Sequence, residues 1–291
     1  MRNFFKYLFW FLFVVVVILP LLGGIIYFAK SSDLFAEPNR IGVICIRGTI
    51  SDPLEYLDGI KTFRDDDNVR AIIIRIDSPG GGVSPSQELY REIMRTKVVK
   101  PVIASLGSVA TSGGYYVASA ATKIIASSGT ITGSIGVIAF FPNLEELFRK
   151  VGYRTVVIKS GRFKDIGNPD RAMTSEEKAL VRDTLMRIHK RFVRDVAEAR
   201  GLDEAKVAEI ADGRIITGED ALQLGLVDDL GNFQDAIELA HTLGHIEGKP
   251  KLVFFKKKKR SLLDFLVGSE VKSLIVKFFA REELPVRLQY P

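Results

Sequence analysis

Short apolar runs alternate with stretches of helical spacing along the chain after residue 40. Residues 41–46 (IGVICI) and 71–76 (AIIIRI) are apolar at nearly every position, which predicts strands that are covered on both faces. Shorter runs predict three further strands, at residues 101–106, 123–126 and 154–158. Helices are predicted at residues 53–66, at residues 85–97 and from Thr174 to about Gly201. Strands that alternate with helices indicate an α/β domain with a parallel or mostly parallel sheet.

The longest predicted helix carries its own start and stop signals. Thr174 and Glu177 have the spacing of a capping box, and Gly201 can end the helix in a left-handed conformation. Between them an apolar stripe repeats with a helical period, at Val181, Leu185, Ile188, Phe192 and Val196. The stripe predicts a helix with one apolar face.

The N-terminal segment has a different pattern. Residues 7–29 contain no charged side chain, and a helix of that length covers a hydrocarbon core of about 30 Å. The run is longer than the apolar region of about 7–15 residues found in a cleaved signal peptide, so it favours a retained transmembrane helix. Arg2 and Lys6 precede the run, which predicts an N-terminus on the cytoplasmic side of the cell membrane. The chain after the run would then lie outside the cytoplasm.

These patterns predict a single α/β domain behind one membrane anchor. The expected segments are a cytoplasmic N-terminus at 1–6, the anchor at 7–29, a linker at 30–40, the α/β domain at 41–248 and a C-terminal tail at 249–291. In the tail, a basic cluster at 256–260 precedes apolar residues with helical spacing. This combination suits a helix on an anionic membrane surface and equally a helix packed on a neighbouring subunit.

Composition and charge exclude several classes of function. The 291 residues carry a formal net charge of +6, and the cluster at 256–260 supplies five of these charges, so a general nucleic-acid-binding surface is not expected. The single cysteine, Cys45, excludes an internal disulfide and a cysteine-rich zinc site. Three histidines offer little for a metal site, and no metal or other cofactor is expected.

A glycine run follows the second predicted strand and precedes a helix. Gly80, Gly81 and Gly82 can turn tightly and present bare N–H groups, which suits an anion or a developing oxyanion. The run is not a P-loop, because no Gly-Lys-Ser/Thr follows, and it lacks the third glycine of a dinucleotide fingerprint. Taken alone, it is more often a plain turn between a strand and a helix.

A serine and a lysine are candidates for acyl-transfer chemistry. Ser112 is flanked by small residues at a predicted strand-to-helix junction, where a substrate can approach its hydroxyl, although small residues also permit close helix packing. Lys164 lies in a loop among glycines and a proline. A lysine can take a proton from a serine when desolvation lowers the lysine pKa, whereas most single lysines are simply solvated. A histidine base is less favoured, because His189 lies within the long helix and His241 and His245 lie near the end of a late one. The spacing of His241 and His245 is that of a zinc-protease helix, but Thr242 occupies the place of the needed glutamate.

Four motifs in this order, behind one predicted anchor, resemble the short form of the bacterial signal peptide peptidase A family. This is a Ser–Lys serine protease family with a Clp/crotonase-like fold, and the resemblance runs from about residue 41 to about residue 241. The motifs are DSPGGG at 77–82, TSGGYY at 111–116, TGSIGV at 132–137 and SGRFKD at 160–165. Each motif is weak alone, but four in register are specific.

The resemblance implies a role for each matching residue. Ser112 matches the nucleophile, Lys164 the general base, and Ser134 the residue that holds the lysine by a hydrogen bond. The backbone N–H groups of Gly113 and of Gly81, preferred here over Gly82, would form the oxyanion hole. The family fold implies repeated ββα/βα units, so residues 41–248 would be the protease domain.

The resemblance also implies an assembly and a substrate. A ring-like homo-oligomer is expected, with Ser112 of one subunit meeting Lys164 of its neighbour. The expected substrates are signal peptides left in the membrane and, second, misfolded extracytoplasmic protein. Three alternatives remain open: a stomatin-operon-type Ser–Lys membrane protease, a crotonase-type acyl-CoA enzyme and a non-catalytic membrane scaffold.

Overall fold

The computed structural model describes residues 2–23 and 39–255. At the N-terminus, α1 (Arg2–Phe13) continues into a π-helical stretch (Val14–Ile18), and helical residues extend to 23. Among the described residues, no helix combines the length and apolar character that crossing a bilayer requires. The end of the predicted anchor, most of the predicted linker and the tail from residue 256 lie outside the described residues.

Residues 39–255 form an α/β fold around one eight-stranded mixed sheet. Its strands are β1 (Arg40–Arg47), β2 (Val69–Ser78), β3 (Val102–Thr111), β4 (Lys123–Ala126), β5 (Ile131–Gly133), β6 (Ile215–Thr217), β7 (Asp229–Leu230) and β8 (Lys251–Phe254). The main order is β6-β5-β3-β2-β1-β8, and β4 lies between β3 and β7. Neighbouring strands run parallel, except for β5 and β6. The parallel sheet expected from the alternating pattern is therefore present, with one antiparallel pair at an edge.

Helices cover both faces of the sheet. Those that follow β1 are α2 (Leu54–Asp65), α3 (Val83–Thr96), α4 (Gly113–Ser119), α5 (Glu145–Lys150), α6 (Ser175–Arg200), α7 (Glu204–Ile210), α8 (Gly218–Gln223) and α9 (Phe233–Leu243). Alternate side chains of β2 point to opposite faces: Ile72 and Ile74 join a core with α2, α3, α4 and α6, whereas Ile73 joins a core with α9. Burial on both faces explains why the central strands are apolar at nearly every position.

The local signals of the long helix are confirmed. The Thr174 hydroxyl accepts a hydrogen bond from the Glu177 N–H, and the Glu177 carboxylate accepts one from the Thr174 N–H, which completes the capping box. Gly201 ends α6 with φ 65°, the left-handed conformation that glycine adopts without steric cost.

The strand predicted at 154–158 is wrong. These residues form no strand, and Val156 and Ile158 are 86% and 95% exposed. A β-branched run becomes a strand only where another strand accepts its hydrogen bonds, and no described strand pairs with this run. At the other end, β8 lies beyond the expected domain boundary at 248 and pairs with β1.

The sheet positions one strand-to-helix turn. The outer edge of β3 pairs first with β4, at Ile103–Ser105, and then with β5, at Val109–Thr111. The other edge of β3 pairs with β2. The chain leaves β3 at Thr111 and enters α4 at Gly113, so Ser112 occupies the turn.

Candidate active site

Ser112 adopts a backbone conformation that few residues other than glycine adopt. Its φ is 51° and its ψ is −121°. The Ser112 N–H donates to the Gly133 carbonyl at 2.8 Å, and the Ser112 carbonyl accepts from the Tyr116 N–H at 2.9 Å. Strain of this kind persists where the surrounding structure holds both sides of the residue. The side chain is half-buried, so the turn presents a hydroxyl that a substrate can reach.

The glycine run packs against the Ser112–Gly113 peptide. The Ile50 N–H donates to the Gly80 carbonyl at 2.9 Å, and the Gly82 N–H donates to the Ile50 carbonyl at 2.8 Å. This parallel bridge leaves the N–H of the intervening Gly81 without a partner in the described residues. The Gly113 N–H, at the first position of α4, likewise has no backbone acceptor there.

The two unpartnered N–H groups lie side by side. A Cβ placed on Gly113 would lie 3.2 Å from the Gly81 nitrogen, so Gly113 approaches the Gly81 peptide closely. A Cβ on Gly80, where φ is 101°, would lie 2.7 Å from the Gly113 nitrogen. Side chains in the glycine run would therefore force the two donors apart. Ser112, Gly81 and Gly113, which the sequence singled out separately, thus meet at one place.

A cavity of about 90 Å³ opens beside these three residues. Most of its other lining residues are aliphatic or aromatic. They include Val83, Tyr116, Val137, Ile138, Ile188 and Phe192. Sequence reasoning did not assign these residues to the site, because they come from four separate stretches of chain that only the fold brings together. The helical spacing of Ile188 and Phe192 and the placement of Tyr116 one turn after Ser112 were the available signals.

Ser134 lies near the nucleophile through the backbone. It follows Gly133, whose carbonyl accepts the Ser112 N–H, and its own N–H donates to the Arg214 carbonyl at 2.8 Å. Its φ of 50° is again in the left-handed region. Its hydroxyl makes no hydrogen bond with the described residues. The role implied for Ser134 toward a lysine remains a prediction.

No hydrogen bond joins Lys164 to Ser112 in the part of the chain that the structure describes. Lys164 is exposed in the loop between residues 159 and 174, and it is not among the residues that line the cavity. Its ammonium forms no hydrogen bond or ion pair with the part of the chain that the structure describes. A Ser–Lys dyad, as the sequence predicts it, would therefore require either movement of this loop or a second copy of the chain.

Ion pairs hold the residues on both sides of Lys164. Asp165 lies 2.5 Å from Lys159 Nζ and 3.1 Å from an Arg171 nitrogen. Arg171 also donates to both carboxylate oxygens of Glu177, at 2.8 and 2.5 Å. Hydrogen bonds from the Arg171 side chain, followed by that from the Thr174 N–H, lower the pKa of Glu177 to about 2. The loop is thus tied to the first turn of α6.

We expect acid to release this loop. Because the pKa of Glu177 is lower in the folded protein, its stabilising effect is complete above its ordinary pKa of 4.5 and is lost as the pH falls through about 2. Hydrogen exchange measured at pH 5 and at pH 2 should show that 159–174 loses protection relative to α9. Glu177→Gln should show the loss already at pH 5. Equal relative protection of the wild-type loop at both pH values would show that the ionised Glu177 carboxylate does not hold the loop.

Two of the three histidines contact backbone carbonyls elsewhere in the fold. His189 Nε2 lies 2.7 Å from the Ala211 carbonyl oxygen, and His241 Nε2 lies 2.8 Å from that of Gly248. Neither ring lines the cavity beside Ser112. In residues 2–23 and 39–255, no group of histidine, cysteine, aspartate and glutamate side chains is placed to hold a metal ion.

Comparison with known proteins decides the family. The model of "Peptidase family S49" matches residues 94–247, just over half of the chain. The chain belongs to peptidase family S49. A Synechocystis protein named as a protease is 46% identical over 210 residues, which cover 72% of this chain and 76% of that protein. This S49 member is accordingly a serine peptidase, similar to the proteins named SppA and Protease 4.

Two further matches support the S49 assignment and its fold. An Enterococcus faecium protein named as signal peptide peptidase SppA is 36% identical over 217 residues, which cover 70% of this chain but only 63% of that protein. The solved 1510-N membrane-bound stomatin-specific protease is 17% identical, with a TM-score of 0.50 over 76% of this chain and 99% of that chain. At that identity the second match shows a shared fold alone.

Proposed function

We propose that this S49 peptidase is a Ser–Lys endopeptidase with Ser112 as the nucleophile and Lys164 as the general base. The observation that carries the proposal is the position of Ser112 between two unpartnered N–H groups and an apolar cavity. Peptide hydrolysis needs these three elements together: an accessible hydroxyl, donors for the developing oxyanion and a pocket for a substrate side chain.

The reaction proceeds through an acyl-enzyme. Ser112 Oγ attacks the peptide carbonyl carbon, its proton passes to Lys164 Nζ, and the oxyanion accepts hydrogen bonds from the Gly81 and Gly113 N–H groups. The C–N bond then breaks, and Lys164 returns the proton to the leaving amine. A water molecule attacks the acyl carbonyl while Lys164 accepts its proton, and Ser112 Oγ leaves and is reprotonated. Loss of one oxyanion donor in comparable sites costs about 3 kcal/mol.

A second copy of the chain supplies Lys164 in this proposal. Apolar side chains of residues 138–158 are exposed: Ile138 is 76%, Phe140 85%, Val156 86% and Ile158 95% exposed. The Leu144 N–H donates to the Pro169 carbonyl at 2.8 Å, which joins this segment to the Lys164 loop. An exposed apolar segment beside an unpaired lysine suits an interface that buries both. A ring of copies would place each Lys164 at the Ser112 of a neighbour.

The proposed substrates are apolar signal peptides left in a membrane. The apolar lining of the cavity and the name of the Enterococcus relative support this substrate class. The uncharged run at 7–29 supports anchorage in the lipid of the cell membrane, with the catalytic domain outside the cytoplasm. A stomatin-like substrate is the second candidate, since the fold match spans nearly the whole of a protease titled as stomatin-specific.

We expect the full chain in detergent to prefer apolar peptides. A synthetic signal peptide should be hydrolysed with kcat/KM roughly tenfold or more above that of a polar peptide of equal length. A polar side chain in the cavity would lose its hydrogen bonds to water, which weakens its binding. Chromogenic or fluorogenic kinetics with both peptides measure the ratio, with a stomatin fragment as a third substrate. Equal rates for the polar peptide would contradict the proposal, and faster cleavage of the stomatin fragment would favour the second candidate.

A further inference from the structure

Tyr116 is the aromatic residue of the cavity wall that lies nearest to the nucleophile in sequence. It lies one helical turn after Ser112 and is only 4% exposed. Its ring packs between two other aromatic rings, with centroid separations of 5.0 Å to Tyr90 and 4.5 Å to Phe192. Phe192 lines the same cavity from α6. Two other aromatic rings therefore contact the ring of Tyr116.

A buried carboxylate holds the hydroxyl of this tyrosine. The Tyr116 hydroxyl donates to Asp195 Oδ2, and the Tyr90 hydroxyl donates to the Asp195 backbone carbonyl at 2.9 Å. Asp195 is 2% exposed, and its other carboxylate oxygen lies 2.8 Å from Arg191 Nε. Burial, reinforced by Asp195, raises the pKa of Tyr116 above its ordinary value of 10.0, so its hydroxyl remains a donor even in mildly alkaline solution.

This contact links two walls of the cavity. Tyr116 belongs to α4, which begins directly after Ser112, whereas Asp195 and Phe192 belong to α6. The hydrogen bond therefore sets the spacing between the helix beside the nucleophile and the helix that carries the facing aromatic ring. A buried carboxylate is costly unless it is paired, and an apolar residue could fill the same space. Asp195 has such partners in Tyr116 and Arg191, so loss of the Tyr116 contact is expected to disturb the packing of α4 against α6.

We propose that Asp195 is a positioning residue that acts through Tyr116 to set the depth of the cavity, and so restricts the substrate side chain before the scissile bond to aliphatic residues. The inference rests on the proposed peptidase function. Tyr116 and Phe192 both line the cavity, with ring centroids 4.5 Å apart, so the position of the Tyr116 ring limits the side chain that the cavity can admit. Release of Tyr116 opens the cavity and relaxes this preference.

The test uses peptides that differ only in the residue before the scissile bond, with alanine, leucine or phenylalanine there. For Asp195→Ala and Tyr116→Phe, we expect the leucine-to-phenylalanine ratio of kcat/KM to fall about tenfold, mostly through KM. Asp195→Asn retains an acceptor oxygen for the Tyr116 hydroxyl, so it should keep the wild-type ratio. A structural role alone would not produce this rescue.

Glu92→Ala is the matched control. Glu92 is also a buried carboxylate, 5% exposed and 2.5 Å from Arg64 Nη1, but it does not line the cavity. Its removal should lower the melting temperature without changing the ratio. An unchanged ratio in both Asp195→Ala and Tyr116→Phe, or an equal change in Glu92→Ala, would overturn the inference. Tyr116→Phe keeps the aromatic ring and provides the result if Asp195→Ala does not fold.

Ser112→Ala in the same assay separates the two proposals. If Ser112→Ala still cleaves the peptides, the proposed catalytic function has failed. If cleavage depends on Ser112 but the ratio stays fixed in the folded variants, only the positioning role of Asp195 has failed.

Discussion

Ser112→Ala is expected to abolish peptide hydrolysis while the fold is retained. The substitution removes the oxygen that forms the acyl bond, and loss of a serine nucleophile lowers kcat on the order of 10⁴-fold or more. Alanine keeps the Cβ, so the strain at φ 51° is unchanged, and the hydrogen bonds of residue 112 to Gly133 and Tyr116 use backbone atoms. Steady-state kinetics and a melting curve measure the two parts of the expectation.

Ser108→Ala is the control for this variant. Ser108 is an exposed serine on the same strand, β3, and it does not line the cavity. It should keep full activity and the wild-type melting temperature. Activity of Ser112→Ala that survives removal of contaminating proteases would show that another group is the nucleophile.

Lys164→Ala is expected to be inactive alone and to regain activity when it is co-assembled with Ser112→Ala. Loss of a general base costs about 10²–10⁴-fold, so neither variant should turn over substrate by itself. In a 1:1 mixture about one quarter of the sites combine an intact Ser112 from one copy with an intact Lys164 from the next, as a cyclic assembly requires. The exposed position of Lys164, away from the Ser112 cavity, is the structural reason for this expectation.

Native mass spectrometry of the mixture should accompany the assay. It establishes whether mixed oligomers form, so that an inactive mixture is not mistaken for a failure of the subunits to exchange. Mixed oligomers without activity would contradict a dyad shared between copies and favour movement of the 159–174 loop within one chain. Lys206→Ala, which removes an exposed lysine on α7, is the control and should remain active.

Local signals predicted much of the fold, and tertiary pairing explains the exceptions. The capping box at Thr174 depends on two residues three positions apart, so the sequence contains all of it. The runs at 41–46 and 71–76 became the central strands β1 and β2, because side chains buried on both faces must be apolar. The run at 154–158 is also rich in β-branched residues, but no described strand lies beside it. Composition indicates that a strand is favoured, not that a partner exists.

The candidate site likewise combines residues that local motifs predict with residues that only the fold brings together. The motifs identified Ser112, Gly81 and Gly113, and the structure places them together because the glycine run follows β2 and Ser112 follows the adjacent β3. The cavity wall was not predicted from the sequence. Phe192 lies 80 positions after Ser112, and the two residues line one cavity only because α6 packs on α4. The buried Asp195 could not be recognised either, because a charged residue within a long helix is usually solvated.

The identity of the nucleophile is the central claim, and covalent labelling tests it most directly. The full chain would be treated with a fluorophosphonate, digested and mapped by mass spectrometry, with Ser112→Ala and Ser108→Ala treated in parallel. We expect one adduct, on the Ser112 oxygen, whose formation parallels loss of peptidase activity and which is present in Ser108→Ala but absent in Ser112→Ala. An adduct on another residue that tracks the loss of activity, or full inactivation with Ser112 unmodified, would contradict this claim.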